Sequence, residues 1–357
     1  MRKSRYIHLL SVCFLLIFSC KKEARQNALH PDGTFSNPLL DFSINGELLV
    51  AKIDTMEDVI TAVVPDALDK TRLSVNFKLA AQFNAKINNK DVVEGAVVDF
   101  SAPVTFTVTS ADKKHSKSFQ VNVDNTLQYF GVSGNILAER SLNKSYDFYF
   151  DQFDGSPSQA VNCGPTVTTM AIKWADSTFT GKPADARVVI PEGGGWWFTN
   201  DVQNYLSRDG IKSTIDTLAD VAALVKNSID NNNLVILCLD MYSVPFNGLQ
   251  FQHVQKFYPT NGPGWGHFLL VKGYKQTTTN FFLEIYDPYS DGQYYSLITN
   301  GQIKGKDRYY IGSDIRHATA VWWPYAIVLA RKGSNVASLN KLTINGIHKA
   351  VPVASGR

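Results

Sequence analysis

Cysteine is scarce in this chain. Four occur in 357 residues, at positions 13, 20, 163 and 238. That number excludes a disulfide-dense scaffold. Charge of one sign is not in excess either: 35 Lys and Arg face 32 Asp and Glu, a net of +3. Part of the surplus sits in the first few residues, so no nucleic-acid partner is inferred. Beyond residue 18 no apolar run is long enough to span a bilayer as a helix. No Gly-x-x-x-x-Gly-Lys-Ser/Thr loop is present to cradle a phosphate. The seven histidines are scattered and no second thiol is correctly spaced, so no metal site and no cofactor are expected.

What is present begins with a targeting segment. Arg2, Lys3 and Arg5 precede an apolar run from Ile7 to Phe18 that is too short to be a mature transmembrane helix. It closes on Ile17-Phe18-Ser19-Cys20, a small residue followed by cysteine, which resembles the lipobox of bacterial lipoproteins. The resemblance implies a signal peptide over 1–19, an acylated Cys20 and a flexible polar tether over 20–37. An ordinary secretory signal cleaved nearby is the competing reading. Lys21-Lys22-Glu23 resembles the charged start of Bacteroidota surface lipoproteins, so a lipid-anchored outer-membrane or cell-surface location is expected.

Residues 38–124 read as a small all-β sandwich. Apolar and polar residues alternate in Val104-Thr-Phe-Thr-Val108 and Phe119-Gln-Val-Asn-Val123, and Asn45-Gly46 after Phe42-Ser-Ile44 is a hairpin signal. The block resembles the immunoglobulin-like modules at the N-terminus of Bacteroidota surface lipoproteins, which implies a spacer or adhesion role. A mixed connector is expected over 125–145, a second domain over 146–332 and a C-terminal tail over 333–357. In that tail Leu342-Thr-Ile-Asn-Gly346 echoes Phe42-Ser-Ile-Asn-Gly46.

The second domain reads as helices first and strands after. Pro165 to Trp174 suits a helix with proline in its first turn. Thr199 is placed to cap a second helix, and Val221, Leu224, Val225 and Ile229 recur at helical spacing. Leu234 to Leu239, Phe268 to Val271, Phe281 to Tyr286 and Val321 to Leu329 read as strands. Trp196 and Trp197 follow a glycine run and either line a cleft or pack beneath a loop.

The chemistry rests on three residues. A thiol attacks only as thiolate, and free Cys has a pKa of about 8.5. Cys163, at the start of the predicted helix, has the helix N-terminus to favour the anion. His267 would pair with it, and Asp287, at the end of a neighbouring strand, would orient the imidazole. A hairpin across residues 276–280 would bring His267 and Asp287 to one edge. The oxyanion needs a second donor beside the Cys163 N–H. Gln159 is preferred, with Gln152 open as the alternative. His253 and His317 are rival bases and Asp240 a rival orienter. Cys238 reads as a small core residue, with a Cys163–Cys238 disulfide as the other possibility.

The segments Gln159…Asn162-Cys163-Gly164-Pro165, Gly266-His267-Phe268 and Glu284-Ile-Tyr-Asp287-Pro288 resemble the bacteriocin-processing, double-glycine-peptidase-like branch of the papain-like cysteine peptidases. The resemblance implies an α+β papain-like domain following the immunoglobulin-like sandwich. It makes Cys163 the nucleophile, His267 the base and acid, Asp287 the orienting carboxylate and Gln159 the oxyanion donor. The expected function is hydrolysis of peptide bonds in a peptide or protein substrate, by a monomer held at a membrane through its lipid. The alternative is a catalytically silent binding or adhesion lipoprotein on the same shell.

Overall fold

The computed structural model describes residues 37–190, 195–295 and 301–336. The expectations on the signal peptide, on Cys20 and on the 342–346 echo lie outside the described residues. The chain divides into two units, one drawn from residues up to Asn45, Ala51–Thr61 and Lys70–Asn122, the other from Gly46–Val50, Ala62–Asp69 and Val123 onward. No helix among the described residues is long and apolar enough to cross a membrane.

The N-terminal region is all-β. Its strands are β1 (Leu39–Ile44), β2 (Leu49–Asp54), β3 (Val59–Val64), β4 (Leu73–Leu79), β5 (Phe83–Ile87), β6 (Lys90–Val92), β7 (Val97–Val98), β8 (Val104–Ser110) and β9 (Ser116–Asn125). They form a three-stranded sheet, β1-β4-β7, and a six-stranded sheet, β2-β3-β9-β8-β5-β6. The alternation read in β8 buries Val104, Phe106 and Val108 on one face. Phe42 of β1 and Phe77 of β4 meet Phe106 edge-on, at 5.4 and 5.1 Å between centroids. This apolar layer makes the region sandwich-like. The Asn45-Gly46 hairpin does not form. β1 pairs with β4, and the turn passes the chain from one sheet to the other.

The second unit is mixed α and β. It contains α1 (Thr126–Tyr129), β10 (Ile136–Ser141), α2 (Cys163–Ala175), α3 (Pro183–Val189), α4 (Thr199–Arg208), β11 (Ser213–Thr217), α5 (Val221–Asp230), β12 (Leu234–Asp240), β13 (Gly266–Thr277), β14 (Phe281–Tyr286), β15 (Arg308–Ile311), α6 (Gly312–Ala320) and β16 (Tyr325–Leu329). One antiparallel sheet runs β11-β16-β12-β13-β14-β15, and β10 pairs with β13. The segment expected to be a connector therefore contributes a strand to this sheet. All seven residues of β12 are buried, as in a strand covered on both faces.

Helix α2 is buried at every residue from Cys163 to Ile172 and at Trp174. Its three threonines would each cost free energy unpaired in such a place. Instead each hydroxyl donates back one turn: Thr166 to Asn162 O at 2.7 Å, Thr168 to Gly164 O and Thr169 to Pro165 O at 2.8 Å. Val167, Met170, Ile172 and Trp174 then supply apolar burial of about 1.5–3 kcal/mol each. Thr199 opens α4 without capping it. Asp201 accepts the Phe198 N–H at 2.7 Å, and the Thr199 hydroxyl meets Tyr325 Oη at 2.7 Å.

Candidate active site

Cys163 is the first residue of α2, where the unpaired N–H groups of a helix start favour an anion. Close packing holds it there. A Cβ added to Gly164 would stand 2.7 Å from Trp197 Cβ and 3.3 Å from the Phe268 ring, so the residue after the thiol has to be glycine for the helix to approach the sheet. His267 enters from the second position of β13. A Cβ on Gly266 would meet the Trp322 ring at 2.5 Å, which accounts for the glycine before it. Asp287 follows the last residue of β14. The β13–β14 hairpin pairs Leu270 with Tyr286 and Gln276 with Phe281, and this places both residues at one end of the sheet.

The three side chains come together. His267 Nε2 lies 2.8 Å from Asp287 Oδ1, which leaves the other ring nitrogen for the Cys163 thiol, with which the imidazole hydrogen-bonds. Burial by itself raises the Cys163 pKa. The hydrogen bond and charge of His267, with the N–H groups of Phe268 and Gly164, outweigh it and bring the thiol below its ordinary range. Burial likewise opposes charge on His267, but the Asp287 carboxylate reverses this and raises the imidazole well above its usual value. Asp287 is held low against its own burial, first by the His267 charge and hydrogen bond and then by Tyr310 and the Tyr289 N–H. All three shifts favour a thiolate–imidazolium pair.

A cleft of about 310 Å³ opens at the triad, lined by Cys163, His267, Gln152, Trp196, Trp265 and Tyr289, with Ala160, Val161 and the loop Asn261–Gly266 completing it. The glutamine preferred from spacing is not on this surface. The Gln159 amide oxygen accepts the Gly155 N–H at 3.0 Å and closes a local turn. Gln152 lines the cleft instead, with one amide hydrogen on Gln159 O at 3.1 Å and its buried Oε1 without a partner among the described residues. The irregular segment between the two folds back, so the nearer residue in sequence is the farther from the chemistry.

The rivals are accounted for by their partners. His253 is stacked between Phe130 and Tyr295, at 4.3 and 4.0 Å, away from the cleft lining. His317 is exposed on α6. Asp240 accepts the N–H groups of Tyr242, Gly264 and Trp265 at 2.9–3.0 Å, and so shapes the cleft wall rather than a histidine. Cys238 is a buried free thiol, as is Cys163, so no disulfide joins them. Trp196 is 42% exposed on the cleft, while Trp197 is buried against Tyr205.

Two contributions escaped the sequence. Arg187 of α3 donates from Nη2 to Val161 O at 2.7 Å and from Nε to Asn162 Oδ1 at 3.0 Å, clamping the turn that delivers Cys163. The available signal was Pro183 opening a short helix. Tyr258 and Tyr310 both donate to Asp287 Oδ2, at 3.0 and 2.7 Å, and no local pattern announces such a distant pairing.

Comparison with known proteins reaches a family model in one place: residues 39–123 match the model described as SGBP, N-terminal. No curated protein matches the chain. Among solved structures, a provisionally assigned C39-like peptidase from Bacillus anthracis is 15% identical, covering 57% of this chain and 100% of that one, with a TM-score of 0.34. A provisionally assigned glycoside hydrolase from Bacteroides thetaiotaomicron is 13% identical over 84% of this chain and 97% of its own, with a TM-score of 0.22. A provisionally assigned secreted protein from Bacteroides fragilis is 19% identical over 24% of this chain and 71% of its own, with a TM-score of 0.19. None of these overlays is close enough to carry a function across. The comparisons thus reach residues 39–123, which are similar to the SGBP N-terminal module; the structure shows a mixed α/β unit after it.

Proposed function

We propose that the second unit is a papain-like cysteine hydrolase acting on amide bonds, with peptides as the substrate class. The observation that carries this reading is the Cys163–His267–Asp287 alignment at the floor of a cleft. The Cys163 thiolate attacks the carbonyl carbon, and the developing oxyanion is received by the Cys163 N–H and the Gln152 amide. His267 passes its proton to the leaving nitrogen as the C–N bond breaks. A thioester remains on Cys163. Water then gives a proton to His267 and attacks the thioester, releasing the carboxylic acid and restoring the thiolate. Apart from the Cys163–His267 pair, the described lining residues carry no charge, which suits the uncharged interior of a peptide rather than a chain end.

A second reading has its own observation. The SGBP model over residues 39–123 belongs to surface glycan-binding proteins of Bacteroidota, and it favours a surface lipoprotein that binds glycan. The family comparisons support that binding role better than they support catalysis, which rests on the triad geometry alone. Both can hold in one chain, with the first module binding and the second cutting.

The test is the pH dependence of iodoacetamide alkylation at Cys163 in the protein lacking its signal, beside His267→Ala. Rapid alkylation well below pH 8 that disappears in the variant is the expected result. An ordinary thiol profile in both would remove the hydrolase reading and leave glycan binding, measured by retention on immobilised polysaccharide.

A further inference from the structure

The Asp287 carboxylate is fully buried and accepts four hydrogen bonds. Oδ1 takes His267 Nε2 at 2.8 Å and the Tyr289 N–H at 2.9 Å. Oδ2 takes the hydroxyls of Tyr258 at 3.0 Å and Tyr310 at 2.7 Å. A carboxylate has about four lone-pair sites, so every one is filled. The two tyrosines arrive from places that have no other part in the catalytic residues: Tyr310 is in β15 and Tyr258 precedes the cleft loop. Burial raises both phenols well above their ordinary range, so each stays protonated and can act only as a donor to this oxygen.

We propose that Tyr258 and Tyr310 are positioning residues of the triad, whose hydroxyls occupy Asp287 Oδ2 so that Oδ1 alone is presented to His267. Resting on the hydrolase reading, this adds the control of its acid limit. A buried carboxylate without such donors takes up a proton, because burial disfavours its charge. Once protonated, Asp287 cannot stabilise the imidazolium, and the thiolate is lost with it. The clamp therefore sets how far into acid the nucleophile survives.

The other groups that face Asp287 do not do this work. The Tyr149 hydroxyl donates to the Asp287 main-chain carbonyl at 2.9 Å rather than to the carboxylate. Asp151 binds the Ser290 and Gly292 N–H groups at 3.2 and 3.1 Å. Arg308 is turned to the carbonyls of Gln252, Val254 and Gln255 and to the Tyr295 hydroxyl. Cys163 faces Asp287 only through His267.

The experiment compares Tyr310→Phe and Tyr258→Phe with the parent protein in the same alkylation profile. Each substitution keeps the ring and removes one donor to an ionised group, so the acid limb should move up by about one pH unit, with a larger move in the double variant. A purely structural role would lower the melting temperature and leave the limb in place, and that outcome overturns the proposal. Loss of the fold at neutral pH in both variants overturns it too. An ordinary thiol profile in the parent defeats the hydrolase reading itself, whereas an acid-reactive parent matched by its variants defeats only the clamp.

Discussion

The main-chain N–H of Gln152 donates to Pro288 O at 2.8 Å, which ties the segment carrying the cleft amide to the turn carrying Asp287. Two parts of the site remote in sequence are thereby fixed to one another through backbone. The tie puts Gln152 on the cleft while Gln159 is spent on a neighbouring turn.

Gln152→Ala should lower turnover of fluorescein-labelled casein by about 10²–10³-fold, the usual loss for one oxyanion donor. Gln159→Ala should remain within a few-fold of the parent. Alkylation of Cys163 by iodoacetamide forms no oxyanion, so its rate should hardly change in either variant. The reverse ranking in the casein assay would return the role to Gln159.

That Cys163, His267 and Asp287 would meet was legible because each sits where local sequence already says what the chain does: a thiol before a proline-bearing helix start, a histidine opening an apolar strand, an aspartate closing the next. The hairpin between the two strands follows from their adjacency, and the register does the rest. Gln152 was ambiguous because spacing measures distance along the chain, and the chain between Phe150 and Gln159 doubles back. β10 was missed because Ile136 and Leu137 are exposed and none of its six residues is buried, so no alternation of apolar and polar residues marks it as part of a sheet. Asn45-Gly46 misled for the opposite reason. The turn chemistry was right locally, but strand pairing is decided by which sheet buries Phe42.

Arg187 holds the turn before the nucleophile by two hydrogen bonds from one planar fork. Lysine keeps the charge but cannot reproduce that geometry. Arg187→Lys should therefore slow casein turnover by about ten-fold while the melting temperature moves by only a few degrees, since small misplacements of a reacting group are costly. Unchanged turnover would mean that Val161 and Asn162 are held by the helix alone.

Gly164→Ala brings a methyl group to within 2.7 Å of Trp197 Cβ, which is too close for either to stay in place. Overpacking of this kind costs about 1–3 kcal/mol. For a unit of this size that is a drop of roughly 2–10 °C in melting temperature, read by calorimetry. An unchanged melting temperature would mean that the Trp197 and Phe268 contacts give way without cost.

His253 makes stability depend on acid. It is 5% exposed and its Nε2 has no partner among the described residues. Burial, aided by the Arg308 charge, pushes its pKa down to about 4, against about 6.5 in an unfolded chain. Between those values the unfolded state binds the proton that the folded state refuses. The contribution is therefore complete above about pH 6.5 and is lost as pH falls toward 4, by up to about 3 kcal/mol. His253→Phe keeps a flat ring between Phe130 and Tyr295 but has no proton to take up. Its urea midpoint should fall less between pH 7 and pH 4.5 than the parent's does, and at pH 7 it should be at least as high, because the unpaired nitrogen is gone. Parallel losses in the two proteins would show that His253 is not the group that titrates.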